Sequence, residues 1–568
     1  MQKINPKPHY DVAIIGAGVG GLTAGALLSK AGFTVCILEK EPHAGGYLAG
    51  FRRHDFRFDT AIHWLNQYGP EGMVSRVFHF LGNDYPKAKN QKSIRRYKSA
   101  DADYILTDNP DELKLKWQYE FPEDKEGIER FFKAAKNLGK SFYEFGKVFR
   151  TEETMGFFEK MANKRKLLKF ALPFIPYIRY SGIEGTTKGL NKFFNHPKLH
   201  AVFSSEPDLL SCLVPIGWAY YKDFQSPPEG GSQVIPEWLC HIIAHFKNDI
   251  FYKSTVKKLN VENHQVKSVE FESRGKVYAI NCSHVIAACD VETLYEKLLP
   301  QGSIPEKLLQ KLRRAKLYSS SITLSLALDC PAEKLGFGEE MIHLYRSDIP
   351  RHEQETGDPE KCSLSILSPS YRDPSMAPEG QGTLTVYGSS FMDYEDHWKT
   401  KTDENGNFLR TDEYYALKEK VAKILIERVS KELCPELKKH ILFYELATPV
   451  THWRYTGNKN GTIMGARPGK ENMQAKIAHY QTPVKNLILG GHWAELGGGV
   501  PIAVRAGTNA ALIIMKKNKP KQFQLLSTYI DGKISKEEAS LHLAFEPYPS
   551  NWISKPTPAQ KGKQNKTL

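Results

Sequence analysis

The segment Tyr10-Asp11-Val12-Ala13-Ile14-Ile15-Gly16-Ala17-Gly18-Val19-Gly20-Gly21 constrains the fold most, because an apolar strand runs straight into glycines spaced G-x-G-x-x-G. Gly16 lets the chain turn tightly out of the strand, Gly18 leaves the backbone bare where a pyrophosphate would approach, and Gly21 lets the following helix pack close on the strand. That helix, expected over residues 22–31, would aim its first N–H groups and positive dipole end at the anion. A second apolar strand, expected over 34–38, ends in Glu39. A carboxylate there can accept both hydroxyls of an adenosine ribose and favours an unphosphorylated one. Strand, glycines, helix, strand and acid in this order predict a dinucleotide site rather than an ordinary tight turn.

The stretch Glu39-Lys40-Glu41-Pro42-His43-Ala44-Gly45-Gly46, continued by Asp55-Phe56-Arg57-Phe58-Asp59-Thr60-Ala61-Ile62-His63-Trp64, bears on which dinucleotide binds. A nicotinamide site needs no such extension, whereas a Gly-Gly turn brings backbone donors to the flavin half of FAD. The pattern E-K-x-x-x-x-G-G followed by F-x-F-D resembles the amine-oxidase-like flavoproteins. Within them, F-D-T-x-I-H resembles the retinol saturase, bacterial phytoene desaturase and carotenoid isomerase group. The resemblance implies an α/β fold: an FAD-binding Rossmann-type, glutathione-reductase-like domain, discontinuous in sequence, with a mixed α+β substrate domain. It also implies FAD as cofactor, with Gly16, Gly18, Gly21, Glu39, Lys40, Gly45 and Gly46 among the residues that bind it.

Further along, Gly230-Gly231-Ser232-Gln233 introduces a helical pattern over 234–246, and short strands are expected over 250–252, 256–261, 266–271, 277–280 and 282–290. This run resembles the family's β-meander, in which the backbone at Val256 would meet the adenine; a plain strand residue is the alternative. The expected division is an FAD-binding domain from 1–70, 226–295 and 448–520, and a substrate domain from 71–225 and 296–447. The first substrate piece reads as helical. In the second, Ser320 to Asp329 alternates with period two and predicts a strand with one buried face. Residues 521–568 form a C-terminal extension whose basic tail, from about 555, is too polar to fold.

Asn486-Leu487-Ile488-Leu489-Gly490-Gly491-His492-Trp493 is another strand entering a turn, and Gly497-Gly498-Gly499-Val500-Pro501 then opens a helix. This resembles the superfamily's second FAD motif, which assigns His492, Gly498, Gly499 and Val500 to the flavin end, where a helix N-terminus favours negative charge. The family pattern has an acid where this chain has His492, hydrogen-bonding the ribityl chain. Imidazole can make such a bond too. The segment containing His63 and Trp64 resembles one lining the flavin face, so His63, Trp64 and Trp493 are the candidate catalytic residues, with structural packing as each one's alternative.

No C-x-x-C pair or metal-ligand spacing occurs among the eight cysteines, so no metal is expected and the thiols read as reduced, as in a cytoplasmic protein. No run of 18 apolar residues predicts a membrane span. The net charge of +14 calls for an anionic partner. With no recognisable nucleic-acid module, lipid is favoured. From Phe157 to Ile178, apolar residues at helical spacing alternate with Lys160, Lys164, Arg165, Lys166 and Lys169, followed by a short apolar stretch broken by Pro173 and Pro176. This predicts peripheral attachment to a membrane surface, against an ordinary surface helix.

The expected activity is FAD-dependent oxidoreduction at carbon–carbon bonds of a long apolar polyene or isoprenoid, by desaturation, saturation or isomerisation. Any external electron acceptor or donor would bind transiently, since no second complete G-x-G-x-x-G occurs. The alternatives are a flavin amine oxidase and a non-catalytic isoprenoid-binding escort of the Rab GDP-dissociation-inhibitor type.

Overall fold

The structure is a computed structural model describing residues 4–145, 149–354, 356–404, 406–541 and 544–554. The first of two seven-stranded sheets has a parallel heart in the order Leu487–Leu489, Lys276–Ala287, His9–Ile15, Val35–Leu38, Asp249–Phe251. These strands are apolar because the layers above and below bury both faces. Every residue of Val35–Leu38 is buried, and so is all of helix Val19–Lys30 except its last residue. That helix packs against Val234–His245 on one side and Gly499–Asn518 on the other. A Cβ on Gly507 would lie 2.1 Å from the Gly20 carbonyl oxygen, so the two helices touch backbone to backbone.

Strands Ser254–Glu262 and Gln265–Ser273 form the antiparallel meander and hand over to Lys276–Ala287. The sequence predicts two strands here, over 277–280 and 282–290, whereas the chain forms one. The first half of Lys276–Ala287 belongs to the meander, and its later part lies between His9–Ile15 and Leu487–Leu489. Its burial accordingly changes from alternating to continuous, and this change of pattern mimics a break.

The second sheet runs Ile441–Ala447, Ser320–Leu328, Gly382–Ser390, Leu364–Leu367, Met341–Leu344, Ser93–Lys98, Asp103–Thr107. Its last two strands come from the stretch expected to be helical. Ser320–Leu328 is buried along its whole length, not on one face as expected. Ile322, Leu324, Leu326 and Leu328 pack in an apolar cluster with Val421, Leu425 and Val429 of helix Asp412–Glu432. The opposite residues, Ser321, Thr323 and Ser325, are small and polar yet also buried. Helices Lys125–Phe145 and Leu209–Tyr220 pack together beside this sheet, in a cluster rich in aromatic rings that includes Trp117, Phe131 and Phe203.

The C-terminal extension folds back on the nucleotide-binding half. Arg150 bridges to Asp531, just after helix Pro520–Ile530, at 2.9 and 2.8 Å. The Tyr548 hydroxyl and the Trp552 N–H both donate to Asp84, each at 2.7 Å. The tail from 555 lies outside the described residues. All eight cysteines are free thiols. Among the described residues no helix is long and apolar enough to cross a membrane.

Candidate functional site

Three strand ends converge on Ala288. Gly16, at φ +97°, passes so close that a Cβ would sit 2.8 Å from the Ala288 oxygen, and a Cβ on Gly491 would sit 3.2 Å from the Ala288 Cα. Gly21 is required by the turn itself, since its Cβ would lie 2.2 Å from the Gly16 oxygen. Gly18 differs. A Cβ there meets nothing within 4 Å, and its φ of −70° suits any residue. Gly16 and Gly21 are therefore demanded by the protein, whereas Gly18 borders open space. That is the arrangement a pyrophosphate cradle needs.

The second glycine pair closes on the first. The Gly45 N–H donates to the Ala17 carbonyl at 2.9 Å, and a Cβ on Gly46 would lie 3.3 Å from the Gly18 Cα. Both glycines have positive φ, +137° and +56°. The Glu39 carboxylate accepts the Ala17 N–H at 2.7 Å and the Glu41 N–H at 2.9 Å. Burial raises its pKa, and those two N–H groups oppose the rise. The Lys40 ammonium donates to the Arg454 carbonyl at 2.8 Å, and burial lowers its pKa. Val256 is buried where the register of the meander slips, between Val256 and Lys258.

At the other motif, Gly497 and Gly499 take φ of +103° and +81°, and helix Gly499–Asn518 begins at Gly498 with no side-chain cap, leaving its first N–H groups free for an anion. Val500 is buried in the first turn. His492 is held against Gly465, where a Cβ would lie 2.5 Å from the ring. Its Nε2 is buried with no hydrogen-bond partner among the described residues. Burial pushes its pKa down to about 4, so the ring is neutral. A buried unpaired nitrogen is costly, and a hydroxyl of a bound ribityl chain would satisfy it. The open cradle at Gly18, the uncapped helix and this orphaned nitrogen fit FAD.

A layer of buried polar side chains lies on the second sheet. His63 stacks on Tyr387 with ring centres 4.5 Å apart, and Arg372 donates to the His63 carbonyl at 2.7 Å. His452 shares a hydrogen bond with Ser321 at 3.1 Å, and its ring lies 6.0 Å from that of Tyr47, the residue after the second glycine pair. On the same sheet Arg95 pairs with Glu206 at 3.4 Å, and His343 bonds Ser205 at 3.0 Å. Burial pushes His63 and His343 down to about 3 and His452 to about 4. Of the three candidate catalytic residues, His63 alone belongs to this layer. Trp64 packs on the aromatic helical cluster with its N–H on Asn66 at 3.1 Å, and Trp493 is buried with its N–H on Asn458 at 3.3 Å. The rest of the layer is absent from the sequence expectations; its one local signal is the Ser/Thr alternation in 320–328.

The buried histidines make stability fall in acid. A pKa of about 3 for folded His343, below about 6.5 when unfolded, means that its contribution is complete above pH 6.5 and is lost as pH falls toward 3. From pH 7 to 5 that loss is about 2 kcal/mol for this residue. His343→Gln should therefore lose thermal stability less steeply than the native chain over this interval; equal slopes would contradict the assignment.

The flavin containing amine oxidoreductase family model matches residues 19–515. The chain is 24% identical to all-trans-retinol 13,14-reductase of Danio rerio, over 93% of this chain and 90% of that one. It is 24% identical to the chloroplastic prolycopene isomerase of Daucus carota, over 89% and 79% respectively. The solved structure of cyclohexylamine oxidase from Brevibacterium oxydans shares the fold, with a TM-score of 0.55 at 14% identity, covering 90% of this chain and all of that one. The converging glycine motifs and the full-length likeness agree: the chain is an FAD-dependent oxidoreductase and belongs to the flavin containing amine oxidoreductase family.

Proposed function

We propose that this enzyme acts on carbon–carbon bonds of a long apolar polyene of the retinoid or carotenoid type, by saturation, desaturation or isomerisation. The carrying observation is the likeness over 93% of the chain to a protein named for reducing retinol, supported by the likeness to prolycopene isomerase. Bound FAD supplies hydride exchange with carbon. The chain's own residues supply the cradle at Gly18 and Gly45–Gly46, the helix N-terminus at Gly499, and a neutral imidazole in His63 within the buried polar layer. Arg372, lowered by burial to about 10, still carries its charge at neutral pH close to His63. The relatives named for retinol and prolycopene reactions argue against the amine-oxidase reading. The retained uncapped helix after Gly497 argues against a non-catalytic escort. Incubation of the FAD-loaded protein with a retinoid, a carotenoid and a primary amine, followed by product mass and isomer analysis, tests this; conversion of the amine alone would overturn it.

His492 is assigned to the ribityl chain. His492→Asp keeps a hydrogen-bonding group and should hold both FAD and turnover, while His492→Ala should loosen FAD by about 1 kcal/mol, roughly fivefold. Retained FAD with dead chemistry in His492→Asp would make the imidazole a proton carrier instead.

The same proposal places the enzyme on a membrane surface. Helix Phe157–Ala171 has Asn163 as its single buried residue, and Phe157 is 74%, Phe158 84% and Leu168 60% exposed. Leu172, Ile175 and Ile178 continue this exposed surface, and Lys164, Arg165, Lys166 and Lys169 stand around it. Apolar residues left in water beside lysines suit the lipid interface and the delivery of an apolar substrate.

A further inference from the structure

A cavity of about 330 Å³ lies between hairpin Gly50–Arg53/Phe56–Asp59 and helix Val234–His245, next to the residues that precede the second glycine pair. None of Gly16, Gly18, Glu39, Gly498 or His492 lines it. Pro42, His43 and Ala44 do, but the next residue, Gly45, is not in the lining and donates its N–H to Ala17.

Its walls carry an unusual charge arrangement. Arg52 and Arg57 lie directly opposite each other across the hairpin, and both line the cavity. Like charges in that position repel. Among the described residues neither guanidinium makes a hydrogen bond or an ion pair within 4.0 Å, whereas the adjacent Arg53 is paired with Glu445 at 3.0 Å. Burial, then the facing Arg57, push the Arg52 pKa down, and Glu237 and Asp55 oppose the fall. Phe51 and Tyr252 give the cavity aromatic walls, and Glu237, itself engaged, lines the helix side. Asp59, the other carboxylate of the lining, is engaged by Ser232 at 2.7 and 2.8 Å.

We infer that this cavity binds a nucleoside phosphate, with the phosphate between Arg52 and Arg57 and the base against the aromatic walls. Two guanidinium forks reaching one anion from opposite strands match the several oxygens of a phosphate better than the two of a carboxylate. The volume lies within the range of small-molecule sites. The ligand is either a free nucleotide or the adenosine half of a nicotinamide dinucleotide. The inference does not depend on which apolar substrate the flavin site takes.

The test uses the full chain saturated with FAD, so that added nucleotide has no access to the flavin's own adenosine site. AMP binding is measured by equilibrium dialysis. One AMP per chain is expected, with at least tenfold weaker binding of adenosine and of AMP to Arg52→Gln or Arg57→Gln, at unchanged FAD content. Displacement of AMP by NADPH identifies a dinucleotide as the source, and lack of displacement a free nucleotide. Should a variant fold poorly, the AMP and adenosine comparison on the native chain decides alone. No saturable AMP binding, equal affinity for adenosine, or loss of FAD from folded arginine variants would overturn the inference, the last by making the cavity part of the flavin site.

Discussion

Gly18→Val is expected to yield a folded protein that has lost its flavin. The backbone at Gly18 is in an ordinary extended region, and no protein atom lies within 4 Å of the position a Cβ would take, so valine costs the fold little. The same side chain would fill the space beside the helix N-terminus that a pyrophosphate requires. Gly21→Val is the control with the opposite signature. Its Cβ would lie 2.2 Å from the Gly16 oxygen and 3.2 Å from the Ala288 Cβ, so the helix must move off the strand and the fold itself should fail. Circular dichroism with FAD release by denaturation separates the two. A yellow Gly18→Val protein with native FAD content would contradict the cradle.

Charge reversal at Lys164, Arg165 and Lys166 should detach the protein from anionic vesicles. Each basic residue near such a surface contributes about 1 kcal/mol, so losing three costs about 3 kcal/mol, more than a hundredfold in affinity. Phe157→Ser with Phe158→Ser should weaken binding at least as much through the apolar term, at about 2 kcal/mol for each ring that enters lipid. FAD content should be unchanged in both, because the helix is tied to the remainder of the fold through Glu159, which pairs with Arg150 at 2.6 Å, and none of these residues takes part in that pair. Vesicle co-sedimentation checks both variants, and binding equal to that of the native chain would return the helix to the ordinary surface class.

The nucleotide-binding half was legible because its signals are local. Strand, Gly16–Gly21, helix and Glu39 lie within about 30 residues, and each carries its own geometric reason in its residue type. The second sheet was less so. Ser321, Thr323 and Ser325 read as a solvent face, since alternation reports polarity and not which layer covers it. In Ser93–Lys98 the buried Ile94 and Tyr97 stand three residues apart, next to a register slip between Ser93 and Arg95, so the run shows no period-two alternation. Arg95 with Glu206, and Ser205 with His343, meet across more than 100 residues of chain, a proximity no local pattern encodes. Arg52 and Arg57 are visible as residues in the sequence, but that they face each other becomes visible only with the hairpin register.

The most direct test of the central claim is an anaerobic single turnover. FAD-loaded protein, prepared in both the oxidised and the reduced state, is mixed with a saturated or unsaturated retinoid or carotenoid, while flavin absorbance is followed and the product is taken for mass and isomer analysis. The account predicts either flavin reduction or reoxidation matched by a product differing by two hydrogens, or an isomer of unchanged mass formed only with the flavin present. Polyenes recovered unaltered in both flavin states, together with flavin reduction by an amine, would contradict it.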